Sequence, residues 1–179
     1  QHLKKNYDIP LFDVVTPSVE YSIKITKTQK VGVVGTYSTI QSHAYKQTFQ
    51  DLGNICNVQE ISCPLFVPII EEGWADSSIA KDIAEIYLKD FIGSDIDTLI
   101  LGCTHYPIMS KIIQSIVPDN IQLVYSGETV GYKLSAYLKK RNCENFPDRS
   151  KSVQFFVTDY PQRFDELGSR FLGRKLNKV

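Results

Sequence analysis

The sequence predicts an α/β fold: a parallel sheet in a three-layer α/β sandwich, with helices on both faces. Three observations carry this. Short apolar runs alternate with segments of helical periodicity along the 179-residue chain, and that alternation implies parallel strands joined by right-handed crossovers. The run Val31-Gly32-Val33-Val34-Gly35 is continuously apolar, as a strand buried on both faces must be. Cap residues also fall at the junctions, with Asp76 or Ser77 able to open a helix and Gly93 to close it.

The elements follow in order. Phe12-Asp13-Val14-Val15 is a candidate first strand, stopped near Pro17, and residues 18–27 a helix. Residues 31–35 are the second strand. Residues 39–52 carry Ile40, Ala44 and Phe49 at helical spacing. Residues 57–62 are a third strand. The helix opened at residue 76 or 77 presents Ile79, Ile83 and Ile86 as its expected core face. Thr98-Leu99-Ile100-Leu101 is a strand, and residues 107–117 a helix with proline in its first turn. Residues 121–125 form a strand, residues 127–141 a helix, residues 153–157 a last strand and residues 161–172 a last helix.

Composition narrows the function. Hydrophobic residues at 42% and charged residues at 22% are ordinary for a globular chain. Twenty basic residues balance twenty acidic ones, which argues against nucleic acid as a partner, because neutralising phosphates needs a basic excess. Lys139-Lys140-Arg141 suits the closing turn of a helix, where cations meet the negative end of the dipole. Apolar runs such as residues 65–70 fall far short of the roughly 20 residues of a membrane span, so no membrane partner is expected. No signal-peptide pattern follows Gln1-His2-Leu3-Lys4-Lys5. The expected location is therefore cytoplasmic, with Cys56, Cys63, Cys103 and Cys143 reduced. The cysteines include no Cys-x-x-Cys pair and His2, His43 and His105 are scattered, so no metal site is expected.

In an open parallel sheet the ligand sits beyond the carboxyl ends of the strands. The loops there are residues 35–39, 63–72, 102–107 and 126–128. Cys103 lies where a strand ends and a helix begins. That position lowers a thiol's pKa through backbone amides and the helix dipole, and His105 could hold or exchange a proton. Spacing alone leaves two readings open for Cys103, a small buried residue or a reactive thiol. Thr36 and Thr39 could cradle a carboxylate or simply cap a helix. Glu71 and Glu72 could solvate a loop or place a carboxylate beside a histidine. Cys63 is expected to be structural.

These loops carry a recognisable set of motifs. Leu99-Ile100-Leu101-Gly102-Cys103-Thr104-His105-Tyr106-Pro107 resembles the second catalytic-cysteine motif of the cofactor-independent glutamate racemase family. Gly35-Thr36-Tyr37-Ser38-Thr39-Ile40-Gln41-Ser42 resembles its Gly-Thr-x-x-Thr-Ile-x-Ser segment, and Cys63-Pro64-Leu65-Phe66-Val67-Pro68 the start of its proline-rich loop. Ser126-Gly127-Glu128-Thr129 and Phe155-Phe156-Val157-Thr158 are similar to its C-terminal part.

The resemblance implies interconversion of L- and D-glutamate, supplying D-glutamate for peptidoglycan, with no pyridoxal phosphate or metal cofactor. One cysteine thiolate removes the α-proton while a second thiol protonates the opposite face. Carried over by motif, Cys103 is one of these thiols. His105 assists it and Glu71 orients the histidine, while Thr36, Thr39 and Thr104 hold the substrate's carboxylate and amino groups. The family also implies a homodimer and two similar lobes. Residues 31–118 are expected to form the second lobe, and residues 1–30 with 119–179 a remnant of the first. The family's Asp-Ser-Gly loop, Pro-Tyr-Gly loop and first cysteine motif are not among these residues, so the expectation is a chain lacking an N-terminal segment and the first thiol. Two alternatives stay beside this reading: a related single-cysteine racemase or decarboxylase, and a non-catalytic relative that binds a ligand.

Overall fold

Four of the expected strands become one parallel sheet in the computed structural model, which describes residues 6–141 and 154–176. The strands are β1 (Lys30–Gly35), β2 (Asn57–Ser62), β3 (Thr98–Leu101) and β4 (Gln122–Tyr125), in the order β2-β1-β3-β4. Gly35 pairs with Ser62, Val34 with Leu101, and Leu101 with Tyr125. All four carboxyl ends therefore lie along one edge, which fixes where a ligand site can form.

The helices are α1 (Val15–Ile25), α2 (Tyr37–Gln41), α3 (Ala44–Asp51), α4 (Phe66–Glu71), α5 (Ser78–Leu88), α6 (Ser110–Ile116), α7 (Ser126–Lys140) and α8 (Pro161–Leu172). Because side chains alternate across a strand, the sheet feeds two cores. Val31, Val33, Ile100 and Val124 pack with Val19 of α1 and with Tyr45 and Phe49 of α3. Val34, Leu99 and Leu101 pack with Phe66 of α4, Ala80, Ala84 and Leu88 of α5, and Ile113 of α6. The fold is thus the expected α/β sandwich with helices on both faces. The chain divides into two compact units, residues 1–137, which hold the whole sheet, and residues 138–179, which hold α8. Helix α8 starts with proline in its first turn and stops at Gly173 in the left-handed region, as residues 161–172 predict.

Several elements depart from the expectation. Phe12-Asp13-Val14-Val15 is not a strand; Asp13 Oδ1 accepts from the Val15 and Thr16 amides at 3.0 and 2.6 Å, opening α1 three residues early. Pro17 falls inside the first turn, where its missing N–H is harmless. Residues 39–52 form two helices, because His43 takes a left-handed φ of 49° between them. The segment 63–72 is a helix over Phe66–Glu71 rather than a loop. Ser77 is the cap of α5, accepting from the Ala80 amide at 3.1 Å.

The expected core face of α5 is only partly right: Ile83 packs against the core, but Ile79 and Ile86 are exposed, and Ala80, Ala84 and Leu88 are buried. The buried stripe is thus centred about one position, roughly 100°, from the expected one. Residues 154–157 have no regular structure, and among the described residues no strand pairs with them. Val153 and Cys143 lie outside the described residues.

At the opposite edge Asp97 ties the entry of the sheet together. Its Oδ1 accepts from the Thr26 and Thr98 hydroxyls at 2.7 and 3.0 Å, and its Oδ2 from the Lys27 and Thr28 amides at 2.6 and 2.9 Å. Burial alone would raise its pKa, but these donors outweigh it and hold the carboxyl at about 2, below the ordinary 3.8. A depressed carboxyl adds stability above its unfolded value and loses it as pH falls toward 2. Allowing for solvent screening, Asp97→Ala is expected to destabilise by about 1–2 kcal/mol at pH 7. Melting curves at pH 7 and near pH 2 check this, and an equal deficit at both would contradict the assignment.

Candidate active site at the carboxyl edge of the sheet

Cys103 stands two residues beyond the end of β3. Gly102 places it there by close approach: its amide donates to the Val34 carbonyl at 2.7 Å, and a Cβ on Gly102 would lie 2.9 Å from that same oxygen. The chain then folds into a tight turn, with the Tyr106 amide donating to the Cys103 carbonyl at 3.2 Å.

The thiol Sγ lies 3.9 Å from His105 Nδ1, and His105 Nε2 lies 3.2 Å from Glu71 Oε1. Glu71 is the last residue of α4, so the helix that replaced the expected loop delivers the carboxylate. With Glu71 accepting from Nε2–H, Nδ1 is left as the acceptor facing the thiol. Both Glu71 and His105 are partly buried. Thr36 caps α2, accepting from the Thr39 amide at 3.3 Å, and the two hydroxyls lie 2.9 Å apart. They sit at the end of β1, the strand beside β3. Thr104 is exposed, next to the thiol. Cys103, His105 and Glu71 form one line, and the threonine pair occupies the neighbouring strand end.

The electrostatics of the thiol differ from the expectation. Burial pushes the Cys103 pKa up, and the amides of His105 and Tyr106, which favour the thiolate, only partly offset it. That environment favours the thiol form of Cys103 over the thiolate. Cys63 is fully buried, with its thiol pushed up to about 12 by burial, which suits an inert structural role.

Two residues of this region escaped the sequence reading. The Tyr106 hydroxyl donates to the Cys63 carbonyl at 2.9 Å, tying the cysteine turn to the end of β2. Tyr45 of α3 packs its ring against Gly102. Their only signal was a large aromatic inside each motif, and aromatics in such runs usually read as core.

A family model described as Asp/Glu/Hydantoin racemase matches residues 1–130. The chain belongs to the Asp/Glu/hydantoin racemase family. Glutamate racemase 2 of Caldanaerobacter subterraneus is 37% identical over 98% of this chain and 66% of its own length. A crystal structure of a glutamate racemase isoform from Bacillus anthracis superposes with a TM-score of 0.86 at 29% identity, covering 98% of this chain and 65% of that one. Another, the enzyme of Francisella tularensis in complex with D-glutamate, gives 0.83 at 32% identity, covering 98% and 64%. The chain thus spans a little under two thirds of the length of each of these relatives. As a member of the racemase family it shares their α/β fold, with Cys103 at the carboxyl edge of the sheet. Among the described residues no helix is long and apolar enough to cross a membrane, and none of the His, Cys, Asp and Glu side chains form a cluster suited to a metal ion.

Proposed function

We propose that this chain is part of a glutamate racemase in which Cys103 exchanges the α-proton of glutamate. The observation that carries the reading is the line from Cys103 through His105 to Glu71, 3.9 and 3.2 Å between partners. Such a line can take a proton from a thiol that burial keeps neutral and return it. The curated relative and both solved structures named above are glutamate racemases, one with D-glutamate bound, which favours glutamate over other substrates.

In the proposed reaction the Cys103 thiolate removes the α-proton. The Cα–H bond breaks, an S–H bond forms, and the electron pair passes toward the substrate carboxylate. Thr36, Thr39 and Thr104 hold the carboxylate and amino groups, and donors at the carboxylate stabilise the charge that develops there. An acid on the opposite face then protonates Cα. The buried Cys63, its thiol pushed up to about 12, is unsuited to that task. D-glutamate production for peptidoglycan, a cytoplasmic location and a homodimer belong to the same proposal, with no cofactor required.

The test is the protein expressed from the complete reading frame, incubated with single enantiomers of glutamate and aspartate and followed by circular dichroism. Interconversion of glutamate in preference to aspartate is expected. Loss of signal with aspartate alone, or with neither substrate, would defeat the reading.

A further inference from the structure

Glu60 of β2 is a second carboxylate paired with a histidine, outside the line from Cys103 to Glu71. Its side chain is only 7% exposed. Oε2 lies 2.9 Å from His43 Nδ1, and Oε1 is buried with no partner among the described residues. Burying a carboxylate is costly unless it is paired, so this one depends on the His43 ring.

His43 stands at a joint. It separates α2 from α3 with a φ of 49°, a conformation that a residue with a side chain keeps only where its surroundings demand it. Glycine would take it more readily, so what histidine adds at this position is its ring. The joint is tied back into α2. The His43 amide donates to the Ile40 carbonyl at 3.0 Å, and the Ser42 hydroxyl to the Thr39 carbonyl at 2.7 Å.

Helix α2 has only five residues, too few to hold its own shape. Its first end is fixed by the chain, since Thr36 follows directly on β1. Its last end is fixed to the neighbouring strand β2 by the ion pair. We propose that His43 and Glu60 are positioning residues, which hold α2 and with it the Thr36 and Thr39 hydroxyls in place for the substrate. This rests on the reading of those threonines as the groups that hold the substrate's carboxylate and amino groups. His43 is mostly exposed and Glu60 lies on an edge strand; both act through α2 and neither is assigned a contact with substrate.

Steady-state racemisation of glutamate by the complete protein tests this, with thermal unfolding measured alongside. Glu60→Leu removes the buried charge together with the pair, so the fold should be kept. The value of kcat/KM is expected to fall about tenfold, mostly through a rise in KM, because substrate placement is lost while the base is untouched. Alkylation of Cys103 by iodoacetamide, read by mass spectrometry of its peptide, should be unchanged. A folded Glu60→Leu protein with an unmoved KM overturns the proposal. If that variant does not fold, two substitutions at position 43 decide. Asparagine tolerates the left-handed φ and carries its Nδ2 where histidine has Nδ1, so His43→Asn should keep KM within about twofold. His43→Gly keeps the backbone but loses the donor, and should raise KM. Equal KM values for the two overturn the proposal. Wild-type protein that turns over no glutamate would defeat the racemase reading and the positioning role together, whereas turnover with unmoved variants defeats the positioning role alone.

Discussion

Replacing Cys103 by serine is expected to lower racemisation by the complete protein on the order of 10³-fold, within the range for removing a general acid or base. Serine fills the same space, so the turn from Gly102 to Tyr106 keeps its geometry. Its hydroxyl, however, ionises far above any working pH and cannot serve as the base. In the proposed reaction His105 and Glu71 act through the thiol, so Glu71→Gln should cost less, about tenfold, by weakening the acceptor at His105 Nε2. The pH profile carries a second signature. Since burial raises the thiol's pKa, the thiolate fraction grows with rising pH, and activity limited by that ionisation climbs on the alkaline side of neutrality. Activity that survives Cys103→Ser within a factor of about ten would remove Cys103 from the chemistry.

Much of this site was legible in the sequence, and for one reason: the strand ends are where a parallel sheet must bind. Residues 31–35 and 98–101 read as buried strands because their apolar runs are continuous, and so Thr36 and Cys103 could be assigned to the same edge. The link from His105 to Glu71 was available only through motif resemblance. The two residues are 34 positions apart, and no local periodicity brings them together. What joins them is α4, which the sequence reading took for part of the loop over residues 63–72. Pro68 falls in the first turn of α4, where proline is tolerated.

The direction of the Cys103 pKa was misread for a related reason. Helix position is visible in sequence, while the burial that outweighs it depends on the core that Cys103 packs against, which includes Phe66, Ile69 and Ile70 of α4. Tyr45 illustrates the same limit, since its buried hydroxyl without a partner among the described residues looks like any core aromatic in a motif. Among the helices, α5 buries Ala80, Ala84 and Leu88 while only Ile83 of its isoleucines packs on the core.

Phe66→Ala is expected to produce the largest loss of stability among the substitutions considered. Phe66 is fully buried at the start of α4. Its ring meets Tyr87 and Tyr106 edge-to-face, with centroids 5.4 and 5.1 Å apart, the geometry aromatic rings prefer. Truncation removes that area and leaves a cavity walled by β-sheet and α5, where backbone cannot collapse inward. The loss should be about 3–5 kcal/mol, a fall in Tm of roughly 6–20 °C for a chain of this size.

The effect should reach the site, because Phe66 packs on Tyr106 and begins the helix that carries Glu71. Tyr106 holds the cysteine turn to the Cys63 carbonyl, and α4 carries Glu71 at its far end. Phe66→Leu, which keeps most of the volume, should lose about half as much stability. Thermal unfolding of the two variants, with Cys103 alkylation measured well below each midpoint, separates the two consequences. A deficit below about 1 kcal/mol for Phe66→Ala would mean that α4 is not anchored by this ring. A full deficit with unchanged alkylation would mean that the ring stabilises the fold without positioning the thiol.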